Sequence, residues 1–313
     1  MPEIRDKLIS KIKMLSDTVW DRRATTEEVN KWLNNFNKGE NDGVCEQLHA
    51  LYLLSKFMYF SSREIKELSK SVYRDLFKYP IVENIRKEHA DTTDISLIRK
   101  QFKRELNLTR FIPVGNPSES GAHILYYFRQ ENSLPGHLFI NDSDIFKPGR
   151  NGKDILISPS IQRYVFIDDF CGSGTQAADY LSNHILKIKS INPNIVVDYY
   201  MLFATDTGLN YLINNTMLNK CNAVFKLDDS FKCFSQVSRY NPSAIHNLDW
   251  QFTKKFVEIY GMALLPGHAL GFRDCQLLLG FFHNTPDNSL PIFWSDKSTG
   301  IDWEPIFRRH TKT

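Results

Sequence analysis

Cysteine pairs, long apolar runs and an excess of charge of one sign are all lacking in this chain of 313 residues. The five cysteines are odd in number and show no CxxC spacing, which argues against a disulfide framework or zinc knuckle and favours reduced thiols. No apolar signal core or run of bilayer length is present, so we expect neither a leader nor a membrane contact. The net charge of +3 supplies no overall field for nucleic acid. These absences predict a cytoplasmic globular protein without a structural metal.

Glycine is absent between Gly43 and Gly115, and apolar residues in the first third of the chain recur at helical spacing. The pattern predicts helices over 4–15, 29–36, 44–60 and 62–87. Pro80 should kink or split the last of these, because proline lacks the N–H that a helix interior requires. We therefore predict an N-terminal helical domain over residues 1–108.

A group of aromatic and basic residues in this helical part has two interpretations. The group consists of Trp20, Arg22, Arg23 and Trp32. It could bind a partner, either a protein or a protein–nucleic-acid complex. Packing within a helical core is the more common role of tryptophan, and we favour it here.

From residue 109 onward, short apolar runs alternate with helical patterns and with turns rich in Gly, Pro, Asn and Asp. Strands are predicted over 110–114, 137–140, 163–167, 195–204, 223–227 and 275–282. Helices are predicted over 118–129, 175–189 and 207–218. This alternation is typical of an α/β domain with a mainly parallel sheet flanked by helices, which we place over residues 109–313.

One segment combines a buried strand, two acids and a small-residue loop. The apolar run 164–167 suits a strand covered on both faces, and Asp168 and Asp169 follow it at the end where ligands of parallel sheets gather. The loop consists of Cys171, Gly172, Ser173, Gly174, Thr175 and Gln176. Its glycines allow close approach of a ligand, while its hydroxyls and the next helix's first amides can donate to an anion. The segment therefore predicts a ribose-phosphate site.

This segment resembles the phosphoribosyl-pyrophosphate (PRPP) motif of type I phosphoribosyltransferases. The resemblance implies that Asp168 and Asp169 bind the ribose 2′- and 3′-hydroxyls, directly or through Mg²⁺, and that 171–176 surrounds the 5′-phosphate. It also implies PRPP or another ribose phosphate as ligand, with Mg²⁺ as cofactor. The chain departs from the motif at Gln176, where the family has Thr, and at Cys171 and Gly172, which replace a bulkier pair.

A second loop, 113–121, follows the first strand of the predicted sheet and precedes a helix. In the resembling family this place is taken by the pyrophosphate loop, and Ser118, Ser120 and Gly121 are its candidate donors. An ordinary helix cap would explain the same residues without any ligand.

Near the carboxyl terminus, His268, Phe272, Arg273 and Asp274 could form the pocket of an acceptor base, stacking a ring and reading its edge. The alternative is a terminal extension held on the sheet. Together with the paired acids and the helical front, these stretches look like a phosphoribosyltransferase-like subgroup of bacterial conflict and antiphage systems, including retrons.

The leading hypothesis is a Mg²⁺-dependent phosphoribosyltransferase-type enzyme that acts at ribose C1, as an effector of antiviral defence. Three alternatives remain open: a catalytically inactive sensor of ribose phosphates, a hydrolase that depletes nucleotides or NAD, and an interaction module. The acceptor, the direction of the reaction and the partners do not follow from the sequence. A homodimer is expected, because two-fold homodimers are the commonest soluble oligomers and the resemblance to the family implies the same state.

Overall fold

The computed structural model describes residues 2–37, 45–115, 120–150, 152–242, 248–296 and 302–309. In these ranges the helices are α1 (Pro2–Thr18), α2 (Thr26–Leu33), α3 (Glu46–Leu54), α4 (Ser62–Ser71), α5 (Tyr79–Glu88), α6 (Ile95–Asn107), α7 (Ser120–Glu131), α8 (Thr175–Ile191), α9 (Asp206–Asn215) and α10 (Trp250–Leu264). The strands are β1 (Met58–Phe60), β2 (Thr109–Pro113), β3 (Phe146–Pro148), β4 (Asp154–Leu156), β5 (Arg163–Cys171), β6 (Val196–Thr205), β7 (Lys220–Leu227) and β8 (Leu279–Phe281).

The chain forms two compact units. The first consists of Met1–Ile65 and Asp228–Thr313, and the second of Lys66–Leu227. Residue 108, where the sequence predicts a domain boundary, lies within the second unit, and the division into domains at that residue stays a prediction. Within the described ranges, no helix is both long and apolar enough to cross a bilayer.

The second unit is built on a parallel sheet with the strand order β2-β5-β6-β7. The strands β2, β5 and β6 are largely buried because helices cover both faces, whereas the edge strand β7 is only partly buried. On one face, Phe111 of β2 contacts Phe77 and Phe128, with ring centroids 5.0 Å apart in each pair. On the other, Ile112 belongs to a buried cluster that includes Leu181 of α8. This architecture confirms the predicted α/β class with a parallel sheet flanked by helices.

The predicted long helix over 62–87 is split ahead of Pro80, as expected. A π-helical segment, Val72–Lys78, separates α4 from α5, and Tyr79 N–H donates to the Arg74 carbonyl five residues back. Pro80 therefore falls in the first turn of α5, where its missing N–H is tolerated.

Two strand predictions were wrong in detail. Residues 137–140 do not form a strand: a 3₁₀ turn, Gly136–Leu138, follows Pro135, and only Phe139 makes an isolated bridge to Phe111. The run 275–282 forms the short β8, which pairs with β1 in the first unit and not with the main sheet. The sequence also did not reveal α10 or the antiparallel β3–β4 hairpin.

The first unit joins the N-terminal helices to the C-terminal segment through one aromatic core. Trp20 packs edge-on against Phe307 at 5.7 Å, and Trp32 stacks on Phe293 at 5.3 Å. Both tryptophans are buried, which confirms core packing for them. These contacts connect residues near the two ends of the sequence within one unit.

Trp32→Ala is expected to lower the free energy of unfolding of the first unit by about 3–5 kcal/mol, because truncation leaves a large cavity. The side chain is fully buried and its indole N–H donates to the Ile292 carbonyl at 2.8 Å. Chemical denaturation followed by circular dichroism measures the loss. Trp32→Phe, which keeps an aromatic ring, should lose clearly less. Equal losses for the two variants would contradict this packing role.

Candidate functional site

Asp168 and Asp169 lie near the end of β5, which the structure extends to Cys171, beyond the predicted end at residue 167. Asp169 is 8% exposed and Asp168 is partly buried. The Asp168 carboxylate accepts two hydrogen bonds at 2.9 Å, from the Asp169 backbone N–H and from the hydroxyl of Tyr199 on β6. The sequence did not identify Tyr199 as part of the site. It could be found only through strand order, which places β6 beside β5.

Burial and the neighbouring Asp169 carboxylate raise the pKa of Asp168 well above its ordinary value. The Tyr199 hydroxyl opposes this rise because its hydrogen bond stabilises the charged carboxylate. Burial and the nearby Asp168 raise the pKa of Tyr199 in turn, so its phenol stays protonated and remains a donor. Two adjacent carboxyl groups with unfavourable charge repulsion form a site that a cation or several hydroxyl donors would stabilise.

The predicted phosphate loop connects β5 directly to the N-terminus of α8. Gly174 has a φ of +78° and caps α8 without a side chain, while the first helical amide, that of Thr175, donates to the Ser173 hydroxyl at 3.5 Å. The Ser173 and Thr175 hydroxyl oxygens lie 2.8 Å apart. Gln176 is exposed, and Cys171 is buried. The arrangement presents donors and a helix N-terminus, which are the features that bind anions.

Residues at the junction of β6 and α9 contact the phosphate loop and restrain it. The Thr205 hydroxyl donates to the Gly172 carbonyl at 2.5 Å and accepts from the Gly208 N–H at 2.9 Å. A Cβ on Gly208 would lie 2.3 Å from the Gly172 carbonyl oxygen, and one on Gly174 would lie 2.7 Å from the Gly208 carbonyl oxygen. Because glycine has no Cβ, Gly174 and Gly208 allow the backbones of the phosphate loop and of the start of α9 to contact each other. Thr205 is also the N-cap of α9, through the hydrogen bond that it accepts from the Gly208 N–H.

The candidate pyrophosphate loop is described only at its ends. Ser118 lies outside the described residues, and Ser120 begins α7. Gly121 packs on the end of β2, where an added Cβ would lie 2.3 Å from the Val114 carbonyl oxygen. Gly115 has a φ of +90°, a conformation that suits glycine at the exit of the strand.

A polar cluster that the sequence did not reveal joins α8 to the 3₁₀ turn Asp142–Asp144. The Tyr180 hydroxyl, on α8, donates to the Asp142 carboxylate at 3.0 Å. His184 approaches the same Asp142 oxygen at 3.5 Å through Nε2. Burial, followed by the bond to Asp142, raises the pKa of Tyr180, so the phenol stays protonated.

The candidate acceptor residues lie together in the first unit, whereas the acids and the phosphate loop lie in the second. The rings of His268 and Phe272 are 4.8 Å apart, and the Arg273 guanidinium lies 5.7 Å from the Phe272 ring. Arg273 and Asp274 both have a φ of +56°, in the left-handed region that residues other than glycine uncommonly adopt. The Asp274 carboxylate accepts hydrogen bonds from Gln276 at 3.1 Å.

The donor set of the acids fits Mg²⁺. This ion is commonly held by one or two carboxylates, with water and substrate oxygens as the remaining ligands. Asp168 and Asp169 supply two such carboxylates. Among the residues that the structure describes, no group of three or more His, Cys, Asp or Glu side chains forms a closed metal cage. A cation at the acids would therefore retain positions for a ligand.

Three solved structures resemble the chain weakly. Helicobacter pylori xanthine-guanine-hypoxanthine phosphoribosyltransferase is 10% identical, with a TM-score of 0.28 over 55% of this chain and 84% of that one. Orotate phosphoribosyltransferase from Aeropyrum pernix is 16% identical, with a TM-score of 0.24 over 41% and 73%. The AQ2163 protein from Aquifex aeolicus is 10% identical, with a TM-score of 0.30 over 65% and 83%. These scores are too low to support an argument about function.

The match that identifies the chain is to a family model. Comparison with curated proteins gives no match. The model of the PRTase-CE family, in contrast, matches residues 29–309 and so includes most of both units. The chain therefore belongs to the PRTase-CE family, the phosphoribosyltransferase-like proteins of conflict systems.

Proposed function

We propose that this protein binds PRPP or a related ribose phosphate with Mg²⁺ and acts at C1 of the ribose, as an effector in bacterial antiviral defence. The observation that carries the proposal is the continuity of the site: paired acids on β5 run directly into a glycine-and-hydroxyl loop at the N-terminus of α8. Membership of a family of conflict systems supports the defence role.

In the proposed complex, Asp168 and Asp169 accept hydrogen bonds from the ribose hydroxyls, and Tyr199 keeps the Asp168 carboxylate oriented. The loop from Gly172 to Thr175 binds the 5′-phosphate. Holding the ribose at both places fixes C1 relative to the two reacting groups, and this positioning can supply much of a rate enhancement.

The carboxylates also provide negative charge close to the ribose, which favours the positive charge that develops at C1 as the bond to pyrophosphate breaks. Mg²⁺, when bound by these carboxylates, would neutralise charge on the departing pyrophosphate. No protein nucleophile is needed for this substitution, because the incoming group attacks C1 directly.

Isothermal titration calorimetry with PRPP and Mg²⁺ tests the proposal. We expect the wild type to bind and Asp168→Asn/Asp169→Asn to bind at least about 100-fold more weakly, because the ribose loses its charged acceptors. Asp91→Asn is a suitable control, since Asp91 is an exposed acid of the same unit and asparagine tolerates its φ of +55°. Equal binding by the double variant and the control, or no binding by the wild type, would contradict the proposal.

A sensor without turnover is the second candidate, and Gln176 is the observation that favours it. This exposed glutamine stands where the resembling motif has Thr, so the loop could bind phosphate with altered contacts. Release of pyrophosphate in the presence of a panel of bases separates the two functions. An enzyme releases it in a manner that depends on Asp168 and Asp169, whereas a sensor binds PRPP and releases none.

A further inference from the structure

The exposed face of α6 carries a cluster of positive charge. Beyond the first residue of this helix, its exposed positions recur at the spacing of one helical turn and so form a single stripe. The stripe consists of four basic and two uncharged polar side chains: Ser96, Arg99, Lys100, Lys103, Arg104 and Asn107. No acid and no apolar residue lies among these six positions. We call the four basic side chains the α6 basic face.

The apolar side chains of α6 are turned towards the rest of the second unit. Leu97, Ile98 and Phe102 are half-buried, and the Phe102 ring lies edge-on to Phe77 with centroids 6.3 Å apart. Ile95, at the first position, is the single exposed apolar residue of this helix. A helix that lies on a membrane inserts an apolar face among the lipids. The free side of α6 presents cations instead.

Repulsion between like charges makes the α6 basic face unfavourable in the free protein. Lys103 lies one helical turn from both Arg99 and Lys100, and Lys100 lies one turn from Arg104. Like charges at this spacing destabilise a helix. None of the four positions has an acid three or four residues away. In the part of the chain that the structure describes, none of the four side chains forms an ion pair.

Exposed lysines on other helices show how such charge is neutralised within the protein. Lys7 pairs with Glu3 at 2.6 Å and Lys31 pairs with Glu27 at 2.8 Å, in each case one turn away. On α6 no such acid is present, and a further cation lies at its margin, since the Lys78 ammonium is 5.8 Å from the Phe102 ring. The anions that would neutralise the α6 basic face must therefore come from another molecule.

We propose that the α6 basic face binds the phosphate backbone of double-stranded nucleic acid. A duplex carries about one negative charge per 1.7 Å of its axis, so it can supply phosphates to four cations that span about 7.5 Å along α6. Proteins that bind single strands without sequence preference add aromatic side chains on which the bases stack, and the exposed stripe of α6 has none. Contacts to phosphate alone give binding that is independent of sequence.

The C-terminal end of α6 lies at the edge of the sheet opposite to the paired acids. This helix leads into β2, and Thr109 at the start of β2 pairs with Arg163 at the start of β5. Asp168 and Asp169 lie near the other end of β5. The inference therefore goes beyond the proposed function, and either of the two can fail without the other.

Fluorescence anisotropy of a short fluorescein-labelled DNA duplex of mixed sequence, titrated with the full-length protein, tests the inference. Lys100→Gln/Lys103→Gln removes two charges, and glutamine retains a high helix propensity. We expect this variant to bind the duplex about 10-fold more weakly at low salt. The slope of log K against log salt concentration should fall in magnitude by about 2, since each lost phosphate contact removes about 0.9.

Lys7→Gln/Lys31→Gln is the matched control. It lowers the net charge by the same amount, at exposed helical lysines that glutamates already neutralise. Its affinity for the duplex should stay within about 2-fold of the wild type, because pairs of this kind contribute little. Equal weakening in the two double variants, or no binding of the duplex by the wild type, would overturn the inference.

Three further arms distinguish other ligands and another site. An unlabelled single strand that competes better than the unlabelled duplex, or phosphatidylglycerol vesicles that do so, would overturn the choice of double-stranded nucleic acid. Asp168→Asn/Asp169→Asn should bind the duplex as the wild type does, and a loss in that variant would overturn the assignment to α6. If PRPP does not bind while the duplex results are as expected, the inference stands and the proposed function fails.

Discussion

Gly208→Ala is expected to weaken the binding of ribose 5-phosphate by about 100-fold, although residue 208 belongs to neither the acids nor the phosphate loop. The new Cβ would lie 2.3 Å from the Gly172 carbonyl oxygen and 3.0 Å from the Cys171 sulfur. Neither group can withdraw easily, because Gly172 is main chain and Cys171 is buried at the end of β5. The loop must therefore move, and phosphate binding requires the original positions of its amides and hydroxyls.

Titration calorimetry with Mg²⁺ present measures this effect, and circular dichroism checks that the fold is retained. Gly136→Ala is the matched control: its Cβ would meet only the far end of the flexible Arg129 side chain, at 3.4 Å. Binding by Gly208→Ala within about 3-fold of the Gly136→Ala value would show that the loop is not held by this contact.

Asp168→Asn is expected to raise the melting temperature of the free protein by several degrees while it abolishes ligand binding. Burial and the Asp169 carboxylate raise the pKa of Asp168, so its ionised form is disfavoured in the folded protein. Asparagine has the same shape and no charge, and thus removes the repulsion. Each kcal/mol gained corresponds to about 2–4 °C in a domain of this size. Functional residues often lower the free energy of unfolding of a protein in this way.

The pH dependence of this stabilisation has a definite sign. Since the pKa of Asp168 is higher in the folded than in the unfolded chain, the stability that its proton confers is complete below the unfolded pKa of about 3.9. That stability is lost as the pH rises through the folded pKa. The difference in melting temperature between Asp168→Asn and the wild type should therefore be small at low pH and grow as the pH increases. A difference that is constant with pH, or that shrinks as the pH increases, would contradict the raised pKa.

The sequence predicted the parts of the site that are contiguous along the chain. Asp168, Asp169 and the loop that follows are encoded by an apolar run, two acids and closely spaced glycines, and a short local pattern is sufficient for them. The α/β class followed in the same way, from the alternation of strands and helices.

The contacts that support these parts come from other strands and helices, and local patterns do not encode them. Tyr199 reaches Asp168 because β6 pairs with β5, and Thr205 reaches Gly172 for the same reason. Asp142 and Tyr180 are 38 residues apart. The aromatic core of the first unit also depends on residues distant in sequence, since Trp20 packs on Phe307 near the opposite end of the chain.

The most direct test of the central claim is a crystal structure of the protein with ribose 5-phosphate and Mg²⁺. We predict that the ribose hydroxyls lie within hydrogen-bonding distance of Asp168 and Asp169, or share a metal ion with them, and that the phosphate contacts the amides and hydroxyls of Gly172 to Thr175. Density for the ligand at another place, with the two acids and the loop unliganded, would contradict the claim that β5 and the start of α8 form a ribose-phosphate site.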